Sequence, residues 1–459
     1  MMQHPSHQPG LAGLWLLLAL TACNAGERHL PALNDVNTQL AFTCAYEKDR
    51  LPALDPEADQ LYRHARWLRR NNIIQQDPMV HPVMERLYRI ATAYGHDRAN
   101  LDLREMIGRG TAMSADPVKE TLDLTEDLIR RGIPGGYYDM GRYLEAGYGV
   151  KQDTALANRY YRKAADLGSP EAQYLIGDKF YRMTISNPLT FAIALQMLKC
   201  AGEQGHAKAA ITYGVDAQGS NNNADAIQAF IQASKAGDQM GPSYLGTAFG
   251  PPTHDGFWKY SDLGFKPDPE RVRRYDLIGT VLNNYTWANP KVPELDSIVP
   301  LPPAPLPPWD GKIQWLKDFE ANIPPPLPTE QRIRELAAAK ALDPNTGRPD
   351  PKAQAAQKAQ AAQLAAQRAA APPSPDALPI GTLCSSGETC PQSGHWQLRF
   401  PPDSVQGQDP ELRANRVVRI FLQGDHFPPH RADYPRLLQR WRGYREQVEP
   451  VRWILMAYQ

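Results

Sequence analysis

The chain has 459 residues, enough for two or three domains. Its 50 lysines and arginines balance 50 aspartates and glutamates. No basic stripe with interleaved aromatics occurs, which argues against nucleic acid as a partner.

Taken in order, the chain opens on an apolar run, Leu11 to Leu20 (LAGLWLLLAL). It is too short to span a bilayer and fits the h-region of a signal peptide. It runs into Leu20-Thr21-Ala22-Cys23, which is similar to the bacterial lipobox, although the n-region carries His4 and His7 and no Lys or Arg. The resemblance implies cleavage before Cys23, acylation of its thiol, and export to a periplasmic location. Asn24 favours the outer membrane. Residues 1–22 are then a signal peptide and 23–36 a lipidated tether. Cys44, Cys200, Cys384 and Cys390 remain, an even number that in an exported protein points to two disulfides. Cys384 and Cys390, six apart in a glycine-containing loop, form the local pair, and Cys44 with Cys200 the other. Without regularly spaced histidines the cysteines are a poor zinc signal, so no metal or other cofactor is expected.

Residues 37–94 are expected to be capping helices. Asp55 reads as an N-cap with Pro56 at the first helical position, and Leu61, Ala65 and Leu68 recur at helical spacing. A second helix is expected from about Val80 to Tyr94. From residue 95 to 290 the chain repeats. Glycine pairs nine residues apart occur at Gly132/Gly141, Gly168/Gly177, Gly205/Gly214 and Gly237/Gly246. A degenerate unit starts at Gly95, with Arg104 in place of its second glycine. Periods near 35 residues mean stacked helix–turn–helix units that bury one another's apolar faces. The leading glycines fit helix C-caps. Ala99, Gly136, Ala172, Ala209 and Gly241 follow them by one helical turn, where small residues admit a close neighbour. Asp153 and Asn187 fit N-caps. On these residues, above all Tyr143–Ala165 and Ala164–Gly177, the array resembles Sel1-like repeats, relatives of tetratricopeptide repeats.

The 43 prolines are concentrated after residue 290. Residues 291–328, with LPPAPLPPW at 301–309, read as a stiff polyproline strap anchored by Trp309 and Trp315. Residues 329–375 read as a helical Ala/Gln-rich spacer, in which a helix capped by Thr329 is followed by an Ala/Gln-rich run that is semi-rigid and exposed. Residues 376–459 read as a small β-rich domain, with an SH3-like barrel as one option and a helix-like insert around Tyr434 to Tyr444. The expected fold is therefore an all-α helical-repeat solenoid with a strap, a spacer and a small β domain.

The chain has no GxSxG, HExxH, Walker A or GxGxxG in the required context, and no catalytic residues are expected. His206-Ala207-Lys208 begins like the HxKxxxxD motif of phospholipase D enzymes, but position 213 is Tyr213. His426 and His430 are separated by Pro428-Pro429 and cannot share a helix face. A noncatalytic solenoid suits protein binding. The exposed parts of its first helices supply the candidate partner-binding residues: Tyr137, Tyr138, Arg142, Glu145, Tyr148, Asp178 and Lys179.

The lipobox, Ala41 to Asp59, the array, the strap and the C-terminal Cys390–Trp396 and Phe421–Pro428 motifs together resemble DUF6396-type Sel1-repeat lipoproteins. That resemblance implies an immunity protein that binds and occludes a toxic type VI secretion lipase effector, with a phospholipase D type favoured. The alternative is a noncatalytic scaffold or regulatory lipoprotein that assembles an envelope complex.

Overall fold

A computed structural model describes residues 41–183, 187–251, 262–370, 378–399, 418–421, 423–427, 430, 431, 448, 449 and 451–458, with Arg28, Leu30 and Leu33. Cys23 with its lipobox, and the insert expected around Tyr434 to Tyr444, lie outside these residues. The chain divides into two compact units, Met1–Gln354 and Ala355–Gln459. No described helix is long and apolar enough to cross a membrane.

The first unit is built from helix pairs. Helices α1 (Pro56–Gln75) and α2 (His81–Ala93) open it. The Asp55 carboxylate accepts from the Glu57 and Ala58 amides, as a proline-led start requires. The five repeat units follow. They are α3 (Asp97–Gly108) with α4 (Pro117–Arg130), α5 (Pro134–Ala146) with α6 (Thr154–Leu167), and α7 (Pro170–Met183) with α8 (Pro188–Glu203). Next come α9 (Ala207–Gly219) with α10 (Asn223–Lys235), and α11 (Met240–Ala248) with α12 (Pro269–Asn284).

Each unit follows one of the five leading glycines, all of which have positive φ, from 72° to 108°. The next residue then often caps the first helix: His96 Nδ1 accepts from the Ala99 amide, and His206 Nδ1 from Ala209. The second helices start at polar caps, with Asp153 accepting from the Leu156 amide and Asn187 from Leu189.

The small residues sit where helices meet. A Cβ on Gly136 would come within 2.6 Å of Leu128 Cβ, and one on Gly141 within 2.6 Å of the Tyr161 ring. Arg104, the degenerate unit's substitute for glycine, is buried. It satisfies its guanidinium on Asn100, Tyr143 (2.9 Å) and Asp139 (2.7 Å).

After α12 the strap crosses back over the array. Polyproline backbone forms no internal hydrogen bonds, so its carbonyls need outside donors. Two arginines of α12 supply them: Arg271 Nη2 donates to Ala304 O (2.7 Å), and Arg274 donates to Ile298 O and Pro307 O (both 2.7 Å). The strap includes the short α13 (Leu295–Ile298), and leads through α14 (Gln314–Ala321) to α15 (Glu330–Ala339). Trp309 and Trp315 pack partly buried against the cluster built from α10 to α13.

Within the expected spacer, residues 329–342 are packed into the first unit. Ile333, Leu336, Ala337 and Leu342 are buried in one cluster with Leu61, Leu87, Tyr88 and Ile90 of α1 and α2. Arg86–Glu330 (2.9 Å), Arg332–Glu57 (2.7 Å) and Arg348–Glu85 (2.8 Å) bridge the same seam. The physical cause is the apolar stripe of α15, which needs cover and finds it on the chain's first helices. The two ends of the array are thus joined. The Ala/Gln-rich α16 (Pro351–Ala370) follows.

The second unit holds a four-stranded antiparallel sheet in the order β1 (Leu383–Ser385), β6 (Arg452–Tyr458), β2 (Gly394–Arg399), β3 (Val418–Phe421). A two-stranded ladder, β4 (His430–Arg431) with β5 (Val448–Glu449), lies beside it in sequence. Trp396, Phe421, Phe427 and Trp453 form its core with Cys390. The expected Cys384–Cys390 disulfide is not formed, and both are free thiols. Strand pairing holds Cys384 opposite Trp453, while the buried Cys390 thiol donates to Gln392 O (3.1 Å). The other expected disulfide, Cys44–Cys200, is present, with Cα atoms 5.7 Å apart.

Candidate protein-interaction surface

Position along α5 decides what each candidate residue can offer. Tyr138, Arg142 and Glu145 are four and three apart and share one face. Arg142 and Glu145 are exposed. Tyr138 is half-buried, its ring 5.7 Å from that of Tyr161, whose hydroxyl donates to Glu145 Oε2 (2.8 Å). Burial first, then the neighbouring Glu145 carboxylate, push the Tyr161 phenol well above its ordinary range. One turn of α7 continues this polar surface with Asp178 and Lys179. Asp178 accepts from Arg182 Nε (2.9 Å), and Lys179 is exposed.

Two candidates fall elsewhere. Tyr137 turns toward α6, its ring 6.4 Å from Tyr160, and its hydroxyl donates to Ile129 O (3.4 Å). Tyr148 lies past the end of α5, with its ring 5.2 Å from that of Tyr143. Most of the tyrosine surface is therefore engaged in packing, and Arg142, Glu145 and Lys179 are what this face presents to a partner.

His206 has a structural role. It caps α9, stacks on Tyr174 with centroids 4.3 Å apart, and is pushed down by burial to about 4. Tyr213, at the position where the phospholipase motif needs aspartate, donates to Asp225 (2.5 Å), which also pairs with Lys199. Tyr213, Asp225 and Lys199 line a cavity of about 220 Å³. Among the described residues no group of three His, Cys, Asp or Glu is placed to hold a metal.

Sequence reasoning missed how the first segment is used. Residues 41–50 lie across the turns between helix pairs, tied down by Cys44–Cys200. Gln173 and Gln204 both donate to Ala45 O, Gln204 accepts from the Glu47 amide (2.7 Å), and Tyr46 donates to Glu203 (2.6 Å). Gly168, at φ 108°, makes the close approach possible, since a Cβ there would sit 2.6 Å from Glu47 N. The Glu47 side chain takes a hydrogen bond from the Gly135 amide. Burial, with Glu171 and Asp97 nearby, raises it to about 7 against the opposing pull of Arg98. The cysteine pair was the signal in the sequence, and it gave the tie but not the hydrogen bonds around it.

Residues 243–350 match DUF6396, a domain of unknown function. The match runs from α11 through the strap and α15 to just short of α16, and so covers the part of the chain that closes the array. No curated protein matches the chain. Among solved structures, the immunity protein Pa5087 from Pseudomonas aeruginosa is 28% identical, covering 58% of this chain and 96% of its own at a TM-score of 0.43. The immunity protein PA5088 from the same organism is 26% identical, covering 57% and 95% at 0.43. A Sel1 repeat protein from Oxalobacter formigenes is 21% identical, covering 49% and 87% at 0.35. The chain thus carries a DUF6396 region closing a helical-repeat array, followed in sequence by a small antiparallel sheet.

Proposed function

We propose that this chain is an immunity protein that binds a toxic effector delivered by type VI secretion and neutralises it by steric occlusion. The effector is a lipase, with the phospholipase D type favoured. The protein works in the periplasm from a lipid anchor at Cys23, and has no catalytic role of its own. Pa5087 and PA5088 bear the name immunity protein, and that name comes to this chain only as part of this proposal.

The observation that carries the reading is the DUF6396 region over residues 243–350, placed as the closing segment of a repeat array. It supports the family reading of the lipobox, array, strap and C-terminal motifs. Two further features agree with it. A disulfide suits an oxidising compartment. Charged side chains on adjacent first helices, Arg142, Glu145 and Lys179, suit recognition of a protein surface.

The test is co-purification of the full chain with the product of the adjacent effector gene, together with growth rescue when that effector is sent to the periplasm. Both a stable complex and rescue are expected. No complex and no rescue overturns the reading, and capture of resident envelope proteins instead supports the scaffold alternative.

A further inference from the structure

One face of α1 carries an arginine series. Arg63, Arg66, Arg70 and Ile73 are three or four residues apart, while Leu61, Ala65 and Leu68 face the opposite way into the core. The arginine face does not look into open solvent. Across from it lie Trp287, just after α12, and Trp315, Ile323 and Pro325 of the returning strap, and the two walls enclose a cleft of about 630 Å³.

The walls are fastened at one side. Trp67 Nε1 donates to Asn322 Oδ1 (2.9 Å), Asn322 Nδ2 donates to Asn71 (2.9 Å), and His64 Nδ1 lies 3.1 Å from Pro325 O. The cleft is thus a fixed feature of the joined ends.

Its chemistry is one-sided. Arg69 is well paired, with Asp102 (2.9 Å) and Glu105 (2.7 Å), but Arg66 reaches Asp102 only at 3.4 Å and is 42% exposed. Among the described residues Arg63 pairs with Asp59 only, and it is 67% exposed. Arg70 makes no ion pair among the described residues. Its Nη2 donates to the Asn322 amide oxygen (2.7 Å) and its guanidinium lies over the Phe319 ring (5.2 Å). The one carboxylate among the described lining residues, Asp318, accepts from Gln314 (2.7 Å) and acts on Arg70 by its charge without forming an ion pair. Beside this cationic wall stand exposed apolar groups, Ile73 (39%), Trp287 (43%) and Ile323 (76%). Tryptophan and arginine grouped at a concave site are the composition of a binding hot spot. The under-paired arginines select for carboxylates, and the planar Arg fork matches carboxylate geometry.

We infer that the cleft between α1 and the strap binds an extended peptide segment of a protein partner, one that alternates acidic with large apolar or aromatic side chains. The acidic groups meet Arg63, Arg66 and Arg70, and the apolar groups pack on Trp287, Ile73 and Ile323. This deepens the immunity reading by assigning the partner's docking segment and a surface other than the α5–α7 face.

The experiment uses the full chain and two probes. The first is a short fluorescein-labelled peptide alternating Glu with Leu and Trp, compared with its Lys counterpart and with a single-stranded oligonucleotide. The Glu peptide is expected to bind and to weaken as salt rises, the Lys peptide not to bind, and the Arg66→Glu/Arg70→Glu variant to lose roughly tenfold or more in affinity. Trp287→Ala is a second variant that alters no charge and is expected to weaken the same peptide. Circular dichroism melting confirms that each variant is folded. Equal binding of the Lys peptide, preference for the oligonucleotide, or no binding of the Glu peptide at low salt overturns the inference.

The second probe is the adjacent gene's effector. If wild type binds it and both cleft variants bind it unchanged, the cleft assignment fails while the immunity reading stands. If the effector does not bind wild type but the Glu peptide binds the cleft, the immunity reading fails and the cleft remains.

Discussion

Between α5 and α11 each helix meets the next through glycine and alanine, whereas α15 meets α1 and α2 through isoleucine, leucine and arginine–carboxylate pairs. The first kind of contact joins neighbours in sequence. Gly141 lies against Tyr161 and Gly214 against Phe230. The second joins residues 244 to 275 positions apart. Small residues set how closely two helices approach, and a repeat can copy that instruction along the chain. A seam formed once has no template to copy. It depends on one apolar stripe meeting its match and on charges that fix where it docks.

Substitutions can sharpen this contrast. The largest effect is expected from the clasp across the middle of the array. Cys44→Ser with Cys200→Ser opens a tie spanning 156 residues, which in the chain-entropy account costs about 4–5 kcal/mol. Chemical denaturation of the double variant, beside the reduced wild type, checks it.

At the seam, Glu85 is 2% exposed and paired with both Arg89 and Arg348. Burial alone would raise its pKa, but Arg348, the Met113 amide and Arg89 outweigh it and hold Glu85 below the usual carboxylate range. Glu85→Ala takes a carboxylate from two guanidinium groups, of which Arg89 keeps Glu120 (2.5 Å), and is expected to cost about 2–3 kcal/mol. Because the folded pKa is depressed, the Glu85 contribution is present at neutral pH and is lost as pH falls through the carboxylate range. The variant and wild type should therefore converge in acid.

In the middle of the array, Gly136→Val drives a side chain into Leu128 and is expected to cost about 2–3 kcal/mol. The same substitution at Gly205, where nothing lies within 4 Å of an added Cβ, meets no clash. Its smaller penalty would come from backbone strain at φ 88° alone.

Glu47 gives an effect with a pH signature. Its folded pKa, about 7, lies above the ordinary value of 4.5. Ionising it therefore costs stability as pH rises through that window. Glu47→Gln should match wild type at pH 4 and exceed it at pH 8 by on the order of 3 kcal/mol. Thermal melts at the two pH values decide this. The smallest effect is expected at the rim of the seam. The Arg332–Glu57 pair is exposed on both sides, and Arg332→Ala should leave the melting midpoint unchanged. A large loss there would mean that charge, rather than the buried leucines, holds the ends together.

The same contrast explains what could be read from the chain. The glycine pairs, the caps at Asp55, Asp153 and Asn187, and the small residues one turn on were legible because each acts within a few residues of itself. The Thr329 cap was legible too, but the destination of its helix was not. Nothing near Ile333 or Leu336 points to α1, and the Ala/Gln-rich run behind them suggested an exposed spacer. Tyr137 and Tyr138 read as surface because tyrosine suits either face, and their ring partners lie on α6. The Cys384–Cys390 expectation failed because proximity in sequence says nothing of strand register. Cys44–Cys200 was reached by elimination, from a local pair that does not form. The arginines of α1 were visible as a polar face, but the strap that turns them into a cleft wall comes more than 200 residues later.

The joined ends also bear on mechanics. An open stack of helix pairs behaves as a spring, because each interface yields a little and the errors accumulate toward the free ends. Fastening the first helices to α15 removes that accumulating motion. A partner then meets a surface whose curvature is already set and loses less conformational entropy in fitting it. Lengthening the array by one more repeat would pull the seam apart. Repeat number is therefore fixed by the closure of this fold, where an unclosed array could gain or lose units at its ends.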